Sequence, residues 1–240
     1  RTALTRISLK GFFMMNNRIL MRIDFQNDFV HPQGALSLNA PELIARQQKF
    51  ADNLFPSYFD KIIDTYDTHF AETYGDTVEA QSFPPHCLFG SDGWQQAAPF
   101  KPTLEVVKMY KSTTDIWNEA HAYRDLAESW QGKEVYLCGV LSDICVLQAM
   151  DGLLKRGAKV VVLEDLCRGK DRQICDILQD EKHRTPVEQG RLKSITSAQF
   201  FREILAEKKK QYYQAAQWPA GQAAEPAKFS KIKEKFNSGR

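Results

Sequence analysis

The chain has 240 residues, a formal net charge of +2 and 43% hydrophobic residues. That is enough apolar sequence for one core-bearing domain with extensions, and too little net charge to imply an obligatory nucleic-acid or membrane partner. Five cysteines, an odd number with no CxxC pair, argue against a disulfide scaffold and for a reduced cytoplasmic setting, and no apolar run nears the ~20 residues of a membrane span.

Residues 1–15 carry basic residues, Ser and Thr but no acid, and read as an N-terminal extension ahead of a start near Met14 or Met15. Arg18–Ile23 is a first strand, with Asp24 directly after it. Pro41–Leu54 reads as a helix, with Asn39 or Ala40 before its start. Lys61–Tyr66 is a second strand that runs into Asp67-Thr68-His69. From Thr68 to Phe100 the chain is rich in Pro, Gly and His and lacks periodicity, and loops of that length inside a domain are usually functional. Leu104–Tyr110 is a third strand with Lys111 directly after it, Asn118–Trp130 a helix and Glu134–Cys138 a fourth strand. The turn Gly139–Val146 leads into a helix through Leu154, with Ser142 or Asp143 as the expected N-cap. Lys159–Glu164 is a fifth strand, Gln173–Asp180 a helix, Leu192–Thr196 a last strand and Ser197–Lys210 a helix. The domain is expected at 16–210, followed by a basic tail at 211–240. This alternation predicts an α/β fold with an open, mostly parallel sheet and helices on both faces. Ligands of such sheets bind beyond the carboxyl ends of the strands.

Several strand ends carry chemistry. Asp24 follows the first strand, Lys111 the third and Cys145 the fourth by a short turn, so a carboxylate, an ammonium and a thiol are expected at one edge. The carboxylate suits a general base, and the ammonium lowers a neighbouring thiol pKa. A cysteine at a strand-to-helix turn also faces free backbone N–H groups and the helix dipole, which favour thiolate. Lys108, three residues before Lys111, competes for the ammonium role. Asp67 and His69 stand at i and i+2 of an extended segment and point the same way. His86 follows two stiffening prolines. One carboxylate and two imidazoles suit Zn²⁺, Mn²⁺ or Fe²⁺ with positions left open, and Glu72 or Glu79 would add a ligand. His31, His121 and His183 have no such company and read as ordinary surface or packed histidines.

Together these residues resemble the isochorismatase-like cysteine hydrolases, and within them the nicotinamidases (pyrazinamidases), from about Arg18 to Leu205. The resemblance is carried by Asp24–Phe29, by Asp67-Thr68-His69 with Phe83–Cys87 and Phe89–Gly93, by Gly139–Val146 and by Gly169. The metal-site residues point to the nicotinamidase branch, since isochorismatases lack them. The resemblance implies an α/β/α three-layer fold and a catalytic Asp24, Lys111 and Cys145 acting on a linear amide. Lys111 is preferred to Lys108 because the family's lysine stands where its strand stops, some six residues before an aromatic, here Trp117. It also implies a cis peptide at Val140–Leu141, oxyanion donors from Leu141 and Cys145, and a substrate pocket bordered by Phe29, Phe83 and Val140. A divalent ion, Zn²⁺ first and Mn²⁺ or Fe²⁺ next, would be held by Asp67, His69 and His86. The implied partner is a small-molecule amide such as nicotinamide, in NAD salvage, with a homo-oligomer compatible. The family's Tyr-Ser-Ala-Phe after the lysine is replaced by Thr114-Asp115-Ile116-Trp117, and Asp115 is expected near the pocket, where it would alter which substrate fits. A hydrolase of another amide, a carbamoyl group or isochorismate, and a silent binding protein of the same fold, are the alternatives.

Overall fold

The centre of the sheet is set by the six-residue strand β1 (Arg18–Ile23), in a computed structural model that describes residues 17–215. It pairs with β2 (Lys61–Asp67) on one side and β4 (Glu134–Val140) on the other. Beyond them lie β3 (Val106–Lys111), β5 (Lys159–Arg168) and β6 (Leu192–Ile195), in the order β3-β2-β1-β4-β5-β6. All five pairings are parallel. The inner strands are buried on both faces, which is why they show no alternation of apolar and exposed polar residues. Edge strand β3 instead alternates: Lys108 and Tyr110 are exposed, while Met109 and Lys111 are buried. The chain winds one way from β1 to β3 and the other way from β4 to β6. Right-handed crossovers then put α2 (Pro41–Asp52) and α4 (Cys145–Lys155) on opposite faces. The reversal between β1 and β4 is the switch point at which such sheets bind ligands.

A buried ion pair joins the neighbouring strands β1 and β2. Arg22 of β1 is fully buried and forms a fork with Asp64, its register partner on β2, at 2.8 and 2.7 Å. Its remaining nitrogen donates to the Ala98 carbonyl at 2.5 Å, and the guanidinium lies 4.0 Å from the Phe100 ring centroid. One side chain thus fastens the end of the long 68–100 segment to the sheet. A point past the middle of that segment is held by Asp28 of α1 (Asn27–Val30), whose carboxylate accepts from Cys87 N at 2.7 Å and Ala35 N at 3.0 Å. A Cβ on Gly93 would meet that carboxylate at 2.2 Å, so glycine is required for the approach.

The structure departs from the sequence expectations in several places. Strand β3 extends to Lys111 and β5 to Arg168. The helix expected at 118–130 is broken into a 3₁₀ turn, Ile116–Glu119, and a single turn α3, Arg124–Ala127. The break falls at Tyr123, which is extended and gives its phenol to edge strand β3: it accepts from Tyr110 N at 2.6 Å and donates to Tyr110 O at 3.1 Å. The helix expected at 173–180 is the short α5, Ile174–Ile177, and a second helix, α6 (Glu181–Glu188), stands where no periodic signal predicts one and contains Pro186. Asp180, extended at ψ 141°, separates the two and pairs with Arg172 at 2.6 Å. The last helix, α7, runs Ser197–Ala215, beyond the expected end at Lys210. Its first residue donates its N–H and hydroxyl to Asp165 at 2.6 and 2.7 Å. The expected extension at 1–15 and the tail from 216 on lie outside the described residues. Among the described residues no helix is long and apolar enough to cross a membrane.

The Arg22–Asp64 pair yields a stability prediction. Asp64→Asn strands a buried guanidinium and should cost about 3–5 kcal/mol in urea unfolding. Glu134→Gln, which breaks the partly exposed Arg18–Glu134 pair, should cost under about 1 kcal/mol. Equal costs would show that water reaches Arg22.

Candidate active site

Four strand ends meet at the carboxyl edge of the sheet. Asp24 follows β1 in a left-handed conformation, φ 46°, which Asp tolerates better than most residues. Its N–H donates to Thr65 Oγ1 at 3.1 Å, and the Thr65 hydroxyl donates back to Asp24 Oδ1 at 2.6 Å. Its other oxygen, Oδ2, faces Lys111 Nζ at 2.8 Å. Lys111 also lies 3.9 Å from Cys145 Sγ and 3.7 Å from Asp67 Oδ1, and donates to Thr113 O at 2.9 Å. All three side chains are buried: Asp24 is 0%, Lys111 2% and Cys145 6% exposed. Lys108 is exposed, its ammonium 5.7 Å from the Tyr66 ring centroid, so Lys111 is the lysine at the site.

Cys145 opens α4 after the Val140–Leu141 peptide, which is cis as the resemblance implies. Ile144 and Val146 donate to Leu141 O, while the N–H groups of Leu141 and Cys145 take no part in the turn's backbone bonds. The close approach of β4 to β1 needs Gly139, at φ 120°, where a Cβ would sit 2.1 Å from Ile23 O. Neither Ser142 nor Asp143 caps α4. The N-cap is Ile144, with no side-chain acceptor. Asp143 turns the other way and accepts the N–H groups of Lys170, Asp171 and Arg172 at 3.1, 2.8 and 3.0 Å. Those bonds overcome its partial burial and hold its carboxyl below the usual range.

The thiol is not a resting thiolate. Burial pushes the Cys145 pKa well above the ordinary value, against the pull of Lys111, and hydrogen bonding to Asp24 adds to the rise. Burial also raises Asp24, with Lys111 opposing and Asp67 adding. Lys111 is held protonated: burial works against its charge, but Asp24, Cys145 and Asp67 outweigh it.

Beside this trio, Asp67, His69, Glu79 and His86 bring one ligand atom each within 4.8 Å of one another. Asp67 Oδ2 lies 3.3 Å from His69 Nε2 and 2.9 Å from His86 Nε2. Glu79 Oε2 lies 3.3 and 3.5 Å from the same nitrogens. Of the two candidate fourth ligands, the buried Glu79 joins the cluster and the exposed Glu72 does not. Burial alone would depress both imidazoles, but their hydrogen bonds to Asp67 and Glu79 push His69 up to about 9 and His86 to about 10. Asp67 is held well below the carboxylate range, since Lys111 and the two histidines outweigh its burial. Two buried carboxylates thus hold two extra protons on the imidazoles. A divalent cation replaces two such protons without changing the net charge, and this N₂O₂ donor set suits Zn²⁺, Mn²⁺ or Fe²⁺. Buried Asp67 Oδ1, Glu79 Oε1 and His69 Nδ1 find no hydrogen-bond partner among the described residues.

The rings of Phe29 and Phe83 stand edge-on to His86, with centroids at 5.7 and 6.0 Å, and Val140 is buried at the end of β4. Asp115, expected to alter the pocket, caps the 3₁₀ turn after β3 by accepting from Trp117 N at 3.0 Å. Gln26, which the sequence reading passed over, mimics a peptide between β1 and β2. It donates to Asp67 O and accepts from Asp67 N, both at 2.8 Å, so it fixes the backbone of a cluster residue. Its signal lay in its place two residues after Asp24.

The chain matches the isochorismatase domain family over residues 18–184. It is 28% identical over 155 residues to the uncharacterized isochorismatase family protein PncA of Bacillus subtilis (strain 168), covering 60% of this chain and 82% of that one. It is 26% identical over 173 residues to the nicotinamidase/pyrazinamidase of Mycobacterium tuberculosis, covering 63% and 87%. The fold matches the crystal structure of PnC1 from L. infantum in complex with nicotinate, with a TM-score of 0.54 at 23% identity over 75% of this chain and 93% of that one. It also matches the pyrazinamidase of Pyrococcus horikoshii in complex with zinc, with a TM-score of 0.54 at 21% identity over 75% and 99%.

The raised histidines predict how metal-free protein responds to pH. Their contribution to stability is complete below about pH 6.5 and is lost as pH rises through their folded-state values of about 9 and 10. Chelator-treated protein should therefore melt at falling temperatures from about pH 7 to about pH 10 in scanning calorimetry. Metal uptake should run the other way and weaken as pH falls, because the ion competes with the same protons. A melting temperature that climbs with pH in the chelated protein contradicts this account.

Proposed function

Because the chain belongs to the isochorismatase family of hydrolases, we propose that it is a metal-dependent cysteine amidohydrolase that converts nicotinamide, or a close heteroaromatic carboxamide, to the carboxylate and ammonia. The observation that carries this reading is the position of Lys111, 2.8 Å from Asp24 and 3.9 Å from Cys145 on one side and 3.7 Å from Asp67 of the four-ligand cluster on the other. A nucleophile with its base and a site for a cation thus adjoin through one ammonium.

In the proposed reaction Asp24 takes the Cys145 proton and Sγ attacks the carboxamide carbon. Lys111, released from part of its bond to Asp24, balances the new thiolate. The N–H groups of Leu141 and Cys145 receive the oxyanion, each worth about 3 kcal/mol in comparable sites. Asp24 passes its proton to the amide nitrogen as the C–N bond breaks, which releases ammonia and leaves a thioester on Sγ. Water then adds to the thioester carbon, Asp24 takes the water proton, and the proton returns to Sγ as the acid departs. Phe29, Phe83 and Val140 supply the apolar border that a flat ring needs. A divalent ion held by Asp67, His69, Glu79 and His86 would supply a Lewis-acid contact for a ring nitrogen. The family's solved relatives with nicotinate and with zinc support the substrate class and the ion.

The test is ammonia release from nicotinamide and pyrazinamide by purified protein, with and without chelator. Cys145→Ala and Asp24→Asn should each lower kcat by at least about 10³-fold while leaving the circular-dichroism spectrum unchanged. His86→Ala should reduce bound metal and raise KM. Full activity of Cys145→Ala would end the thioester mechanism. Metal-loaded wild-type protein that spares both amides but cleaves another amide or carbamoyl compound would move the substrate and keep the chemistry.

A further inference from the structure

We propose that Tyr74 is a positioning residue of the metal site: its hydroxyl fixes the ring and tautomer of His86 and ties the Phe83 border to the same point. The inference rests on the metal reading above. Tyr74 sits in a 3₁₀ turn, Tyr74–Asp76, and is buried; it follows Asp67, the end of β2, by seven positions. Its hydroxyl oxygen is 2.9 Å from Pro84 O, 3.0 Å from Phe83 O and 3.2 Å from His86 Nδ1. Its ring stands nearly perpendicular to both cluster imidazoles, with centroids 5.1 Å from His69 and 5.7 Å from His86.

The assignment of protons follows from what each atom can do. Pro84 O lies 2.9 Å from His86 Nδ1 and can only accept, so Nδ1 carries a hydrogen. The Tyr74 oxygen accepts a share of that hydrogen and directs its own proton to the carbonyls of Phe83 and Pro84. Nε2, the atom facing Asp67 and Glu79, is therefore the nitrogen left to bind an ion. The two prolines explain why a side chain is needed here. Neither Pro84 nor Pro85 brings an N–H to the turn, so a phenol supplies the missing donor.

The turn that carries Tyr74 is also tied to the one that carries Glu79. The Thr77 hydroxyl donates to Tyr74 O at 2.8 Å and accepts from Ala80 N at 3.3 Å, which binds the Tyr74 turn to the 3₁₀ turn Glu79–Gln81 that bears Glu79. Tyr74 thus links two of the four ligand positions from outside the cluster. Partners of this kind set ligand orientation and typically change metal affinity by 10–100-fold when removed.

Tyr74→Phe keeps the ring against His69 and His86 and removes only the hydroxyl. Zn²⁺ affinity is read by chelator competition on the full chain, and the geometry by the visible ligand-field bands of Co²⁺-loaded protein. The expected result is a Zn²⁺ Kd raised at least about tenfold and shifted Co²⁺ bands, with the far-UV spectrum of the metal-free variant unchanged. A merely structural tyrosine would move the melting temperature and leave the Co²⁺ spectrum of the folded fraction as in wild type. Wild-type affinity and bands in Tyr74→Phe overturn the inference alone. Wild-type protein that takes up neither Zn²⁺ nor Co²⁺ overturns the metal reading and this inference with it.

Discussion

The site depends on a single buried ammonium. Lys111 is 2% exposed and has two carboxylates and a thiol around it. Taking an ion out of water costs several kcal/mol, and that cost is recovered only where partners are already in place. The relation holds in both directions. Without Lys111, Asp24 and Asp67 would confront each other in a dry pocket, and one would take up a proton. A protonated Asp24 would be no base for Cys145. The amine therefore preserves the ionisation of the groups around it as well as balancing charge during the reaction.

Holding that ammonium in place explains much of the surrounding structure. Parallel register sets Asp67 opposite Lys111 and Ile23 opposite Gly139, so four strands deliver their ends to the same edge of the sheet. Thr65 then spends one oxygen of Asp24 and leaves the other for Lys111. Gln26 locks β1 to β2 at Asp67, where a further peptide pair would otherwise be missing. Arg22 and Asp28 each hold part of the 68–100 segment, which delivers Glu79 and His86 to the cluster. The long segment is ordered by side chains from β1 and α1 rather than by periodic structure of its own.

This division explains what could be read from the sequence. Inner strands buried on both faces show no alternation of apolar and exposed polar residues, so the sheet and its strand ends were legible, and Asp24, Lys111 and Cys145 with them. Asp67 and His69 were legible because i and i+2 share a side in extended backbone. Glu79 was not separable from Glu72, since both lie in a stretch whose 3₁₀ turns leave no period to show which side faces in. Helix α6 was hidden by its polar sequence and Pro186. Asp143 matched the residue type of an N-cap, yet its carboxylate is worth more to three N–H groups of the 170–172 turn than to one helix end. Local residue preference cannot register that competition, because its winner is supplied by a segment 27–29 positions away.

At the thiol, the effects that favour and oppose the thiolate differ in magnitude. A helix N-terminus contributes about 0.3–1 kcal/mol to a nearby anion, whereas full burial can move a pKa by several units, each about 1.4 kcal/mol. Burial is the larger effect at Cys145, so the sulfur rests as a thiol. This suits the proposed chemistry better than a standing thiolate. A preformed thiolate beside Asp24 and Asp67 would put three negative charges around one ammonium. Moving the thiol proton to Asp24 instead exchanges one anion for another and leaves the number of buried charges unchanged. A thiolate of high intrinsic pKa is also the stronger nucleophile once formed. The same burial that keeps the sulfur protonated raises Asp24 as well, so donor and acceptor of the proton shift in the same direction. A dry pocket thus opposes a permanent thiolate, yet permits a proton transfer that leaves the number of buried charges unchanged.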